Sequence, residues 1–111
     1  MDESILTSIK QMVGVEESDE SFDIDIITYI NTALALLHRI GAGPTEGLMI
    51  TDDTTTWGEF TQNQIVLSLA KTYVYQKVRL EFDSASLTSA AIEAMKRSNA
   101  ELEWSINIAV D

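Results

Sequence analysis

The chain of 111 residues contains no cysteine, a single proline, and only seven basic residues against eighteen acidic ones. Without cysteine it has no disulfide, no thiolate metal site and no cysteine nucleophile. Its one histidine is His38, so any Ser-His-Asp arrangement would have to use it. That residue sits beside Arg39 within a predicted helix, with no G-x-S-x-G elbow in the chain. A formal net charge of −11 removes phosphate attraction as the main force for holding nucleic acid. No apolar run approaches the roughly 18 residues of a membrane span, and Met1-Asp2-Glu3 lacks the basic start of a signal peptide. The expectation is a soluble chain that stays in the cell that makes it.

Other signatures of chemistry are missing as well. Asp52-Asp53 has neither the ligand spacing nor the distal glutamate of a calcium loop. Gly41-Ala-Gly-Pro follows a helix rather than a strand and has no adjoining lysine, so it is no phosphate cradle. Glu101 and Glu103 project about 200° apart on a helix and cannot act as a carboxylate pair. The expectation is no enzymatic activity, no metal and no cofactor.

What is present is helical periodicity. With 45% hydrophobic and 23% charged residues, the chain has the composition of one globular domain spanning 1–111. A first helix over about 3–13 aligns Ile5, Leu6, Ile9, Met12 and Val13, with Gly14 as its stop. After the acidic linker at 16–20, a second helix over about 22–40 aligns Ile26, Ile27, Ile30, Ala33, Leu34 and Leu37. Ser21 or Asp23 is its expected cap. Gly41, Gly43, Pro44 and Gly47 break the pattern, leaving a long irregular stretch over 41–58 in which 48–51 reads as a short extended piece. A third helix begins between Trp57 and Gln62 and runs to about Glu81. A fourth covers about 87–107, with Leu87, Ala91, Ala94, Met95, Ser98, Leu102 and Ile106 on its inner face and Trp104 well off it. The predicted fold is all-α, a small bundle of four main helices with a long loop between the second and third.

The third helix is apolar on two sides. Val66, Leu69, Tyr73 and Leu80 fall within an arc of about 60°. Leu67, Val74 and Val78 form a second stripe roughly 140° away, extended by Tyr75 and Phe82. A surface helix of a small domain needs one apolar face. Part of this surface is therefore expected to meet another subunit. Charge is also segregated: residues 1–25 carry eight acids and one base, Lys10, whereas Lys71, Lys77, Arg79, Lys96 and Arg97 all lie in the later half. Such an arrangement favours head-to-tail association.

Taken in order, Ile26–Asn31, Gly41-Ala-Gly-Pro, Trp57, Tyr73–Asp83, Glu93–Arg97 and Glu101–Trp104 resemble the tailed-phage head–tail connector (adaptor) family over nearly the whole chain. Ser84-Ala85 departs from the pattern, because relatives often carry prolines after Phe-Asp. The resemblance implies a helical subunit of a ring, dodecameric in the virion, made in the bacterial host cytoplasm and seated beneath the portal protein. It also implies a docking surface for a head-closure or tail protein, and a channel through which DNA passes without specific binding. An acidic lining would repel that DNA. An acidic DNA mimic and a tail-assembly chaperone or regulatory protein are the alternative classes.

The expected interface residues are Leu67, Val74, Val78, Lys96, Arg97 and Trp104. Leu67, Val74 and Val78 pack against a neighbouring subunit or against the first helix. Lys96 and Arg97 meet acids of an adjacent copy. Leu48, Met49, Ile50 and Trp57 are expected to form a loop ordered by a ring partner, or else Trp57 and Leu48 cap the core. The segment Ile106–Asp111 is expected to reach toward the portal.

Overall fold

The computed structural model describes residues 3–110. The all-α expectation holds. Helix α1 spans Ile5–Met12, α2 Asp23–Arg39, α3 Trp57–Phe60, α4 Gln64–Glu81 and α5 Ser89–Ala109, with a 3-10 turn at Ser84–Ser86. Residue 111, the end of the segment expected to reach toward the portal, lies outside the described residues.

Local chemistry sets the boundaries. Ser4 caps α1 by accepting from the Thr7 N–H at 3.1 Å, and Gly14 ends it at φ +84°. Neither Ser21 nor Asp23 caps α2. Phe22 occupies the cap position and makes no side-chain cap bond, while Asp23 is the first helical residue. Asp23 serves instead as the partner of Lys10, at 2.8 Å. The third predicted helix is two elements. α3 is a single turn, and the Glu59 carboxylate reaches back to accept from the Thr56 N–H at 2.9 Å. Asn63 then starts α4, its side-chain oxygen accepting from Ile65 N–H at 3.0 Å and Val66 N–H at 3.2 Å.

The molecule measures 37 × 33 × 21 Å, and its short dimension is about two helix diameters. α4 is the shared element: α2 packs on it from one side, α5 from the other, and α1 closes against α2 and α4. Tyr73 and Gln76 of α4 turn to α5, where the Tyr73 hydroxyl donates to Glu103 at 2.7 Å and the Gln76 amide donates to Ser98 Oγ at 3.1 Å. Val74 and Val78 lie fully buried in the core shared with Ile5, Ile9, Ile26, Ile30 and Leu37. Phe82 continues that stripe and meets Phe22 edge-on at 5.2 Å. Both apolar sides of α4 are thus covered by the same polypeptide. The expectation that Val74 and Val78 face a neighbouring subunit is corrected: they have no accessible surface, because α1 and α2 occupy the space beside them.

The turn after α4 is held without proline. Asp83 adopts a left-handed conformation at φ 58°. Arg79 donates to the Asp83 carbonyl at 2.7 Å and to Ser86 Oγ at 2.9 Å, clamping the chain as it reverses into α5. α5 packs chiefly on α4, and of its expected inner face only Ile106 is fully buried, while Ala94 is exposed. Asn99 is buried instead, and neither atom of its side-chain amide has a hydrogen-bond partner.

Three outcomes follow from this packing. Val74→Asp places a carboxylate in a dry core, a penalty of several kcal/mol against a typical total of about 5–15. Circular dichroism should show loss of helix in this variant rather than loss of assembly alone. Asn99→Leu removes an unpaired buried amide and should raise the urea unfolding free energy by about 1 kcal/mol. The third concerns pH. Burial, and then the bond and charge of Glu103, push the Tyr73 phenol well above its ordinary value. Its raised pKa means that the folded state keeps the proton after the unfolded chain has lost it. Stability carried by this group is therefore complete below pH about 10 and falls above it, by up to about 1.4 kcal/mol per pH unit. Urea denaturation from pH 9 to 12 should fall more steeply for the wild type than for Tyr73→Phe.

Candidate functional site

The irregular stretch after α2 is tied down at several points rather than left to a partner. The Asn31 side chain accepts from the Ile50 N–H at 2.8 Å and donates to the Ile50 carbonyl at 3.0 Å, which pins the loop to α2. Farther on, the Ile5 N–H donates to the Thr55 carbonyl and the Trp57 N–H to the Glu3 carbonyl, both at 3.0 Å. These bonds make an isolated antiparallel bridge between Ser4 and Thr56. Trp57 is buried, and its indole N–H donates to Ser8 Oγ at 2.8 Å. Gly43 lets the chain pass Phe60 closely, since a Cβ there would stand 2.7 Å from the phenyl ring. Of the four loop residues expected to await a partner, Ile50 and Trp57 are buried in the subunit itself and Leu48 is half-buried. Only Met49, 71% exposed, presents a free apolar side chain.

The outer side of α5 has the opposite character. Lys96, Arg97 and Trp104 are all exposed, and the indole of Trp104 is 69% accessible. Arg97 and Trp104 share a face with exposed Ile108, the three lying within about 40° of one another around the axis. Lys96 stands about a quarter turn away. Glu93 and Glu101 lie one turn to either side of Arg97, yet neither Lys96 nor Arg97 forms an ion pair among the described residues. Leu67, the remaining expected interface residue, is half-buried on α4. The structure therefore brings Arg97 and Trp104 together, adds Ile108 to them, and separates them from Met49.

A second feature lies beyond α4, where α1, the N-terminal end of α2 and residues 51–53 enclose a cleft of about 400 Å³. Leu6 and Ile27 contribute apolar surface, and Glu17, Glu20, Asp52 and Asp53 supply the charge. Ile24, also on its lining, is 81% exposed. At its base lies Lys10, 2% exposed, paired with Asp23 and donating to the Glu17 carbonyl at 3.0 Å. This neutralises one acid and leaves the rim unopposed. Asp52 accepts from the Thr54 hydroxyl at 2.6 Å and from its N–H at 2.9 Å, which holds its carboxyl below the usual carboxylate value. The Asp52 charge therefore persists further into acid than that of an ordinary carboxylate.

Sequence reasoning passed over Ile24, Ile108 and the burial of Lys10. The first two lie outside the main stripes of their helices, and that displacement was a usable signal. Lys10 gave none, because its burial arises from contacts with Asp23 and the linker carbonyl. No group of three or more histidine or acidic residues among the described residues is placed to hold a metal ion. None of the helices among them is long and apolar enough to cross a membrane.

Comparison with curated proteins and with solved structures gives no match. A family model described as "Phage connector protein" matches residues 5–111, from the first residue of α1 onward. That span takes in α4 with its two covered sides, the pinned loop and the exposed face of α5, and the chain belongs to the phage connector protein family.

Proposed function

We propose that this chain is a ring subunit of the phage neck, seated between the portal and the head-closure or tail components and continuing the DNA channel. The observation that carries this reading is the family match over residues 5–111, which takes in every helix of the fold. A structural role in the virion needs surfaces rather than chemistry, and surfaces are what the fold offers. The outer face of α5 leaves Trp104 and Ile108 in water, although the bundle has apolar positions inside for side chains of that size. Exposed large apolar groups of this kind mark contact sites.

The charge distribution supports the same role. Residues 3–53 hold ten acids and two bases, and residues 54–110 hold six acids and five bases, so the two halves carry about −8 and −1. A subunit that meets an identical neighbour through two different surfaces gains orientation from such asymmetry. A net-acidic ring also lets DNA pass without adhering, since backbone phosphates are repelled. Met49, standing clear of the loop anchored at Ile50, is suited to contact a different protein above or below the ring.

Electron microscopy of the chain mixed with the portal protein of the same genome tests the assignment. The expected result is a closed ring of this chain coaxial with the portal, and the reading fails if the two proteins remain separate at micromolar concentrations. Met49→Asp should leave the unfolding free energy within about 0.5 kcal/mol of wild type. The same change should weaken binding of the portal or of the tail-side component by about tenfold or more, measured by sedimentation.

A further inference from the structure

The geometry points to a head-to-tail contact in which the outer face of α5 from one copy, carrying Arg97, Trp104 and Ile108, seats in the acidic cleft between α1 and α2 of the next. This rests on the ring reading and names the surfaces that would close it. The occupant is a second copy of this chain, on grounds of position, charge and apolar fit.

The first is position. α5 contacts α4 and makes no comparable contact with α1 or α2, which pack on the other side. Its outer face and the cleft therefore lie on different sides of α4. Two different patches on opposed sides of one subunit generate a ring or a filament rather than a closed pair. The second is charge. Lys10 is committed to Asp23, Lys71 to Glu3 at 2.7 Å, and Arg79 to the turn before α5. Lys96 and Arg97 are both exposed and unpaired among the described residues, while Glu17, Glu20, Asp52 and Asp53 crowd one rim with a single buried lysine beneath them. The third is apolar fit. Each patch has an oily part left in water, Trp104 and Ile108 on one and Ile24 on the other. A cleft of about 400 Å³ is within the range that encloses a group larger than an indole. The aromatic–arginine pairing on α5 has the composition of an interface anchor.

Because the chain has no cysteine of its own, disulfide trapping tests the contact directly. The residues exchanged are exposed, so Ile24→Cys and Trp104→Cys should each leave the fold intact. They cannot bridge within one subunit. Sixteen residues of α2 and its end, about 24 Å, separate Ile24 from Ile40, and the Ile40 carbonyl accepts from Asn107 beside Trp104. Each variant and the double variant would be assembled on the portal, oxidised, and run on a non-reducing gel.

The double variant should give a ladder extending beyond the dimer, and each single variant should remain mostly monomeric. A dominant dimer from Trp104→Cys alone would mean that α5 faces pair with one another, and would overturn the contact. Portal-bound rings that give no ladder would overturn it while leaving the ring reading intact. Failure of the wild-type chain to join the portal at all would remove both. As a second arm, Arg97→Glu or the pair Glu20→Lys and Asp53→Lys should each lower assembly about tenfold at low salt, and their combination should restore most of it. A combination no better than either alone also overturns the contact.

Discussion

The whole arrangement depends on α4 being enclosed along both of its long sides within a body two helices thick. α1 and α2 supply one wall and α5 the other, so the two most extensive helix–helix contacts both run through this helix. The two walls differ in kind. Against α2 the filling is aliphatic and dry, with Val74 and Val78 among isoleucines and leucines. Against α5 it includes a phenol bonded to a carboxylate, an amide bonded to a serine, and the unpartnered amide of Asn99. Dry packing of the first kind is non-directional and strong in proportion to area. Hydrogen-bonded contacts fix a geometry more than they add stability. The core thus places its stability on the α2 side and its registration on the α5 side.

The irregular half of the chain is organised by a few polar anchors in place of a repeating pattern. Asn31 presents both ends of its amide to one residue of the loop, Trp57 hangs its indole N–H on Ser8, and Lys10 gathers Asp23 and a linker carbonyl. Each anchor satisfies groups that burial would otherwise strand. Together they explain how about sixteen residues without regular structure can be part of a compact subunit.

Periodicity in the residues was enough to locate α1, α2 and α5 to within about two residues at each end, and the C-terminal end of α4, because each presents at least two turns of apolar repeat. α3 escaped, since a single turn containing Gly58 is shorter than the pattern that would reveal it. Periodicity also identified α4 as apolar on two sides, and it is indeed held from two sides. What it could not supply was the identity of the covering surface, because an apolar stripe records that water is excluded and not by whom. Hence Val74 and Val78 read equally as facing a neighbouring subunit or the first helix, and lie in the core. Trp104 was different: standing off its helix's stripe, it is one of several large apolar side chains that the fold leaves exposed. The cleft was invisible for another reason. Its walls come from α1, α2 and the loop at 51–53, segments brought together only by the anchors described above.

The stretch from Gly43 to Met49 bulges between two fixed points, the buried Ala42 and the doubly bonded Ile50. Since closing a longer loop between fixed ends costs little, residues at its tip, around the exposed Thr45 and Glu46, can be inserted, deleted or exchanged without disturbing the helices on either side. The tip can therefore vary in length and sequence from one member of the family to another while the helical frame stays as it is.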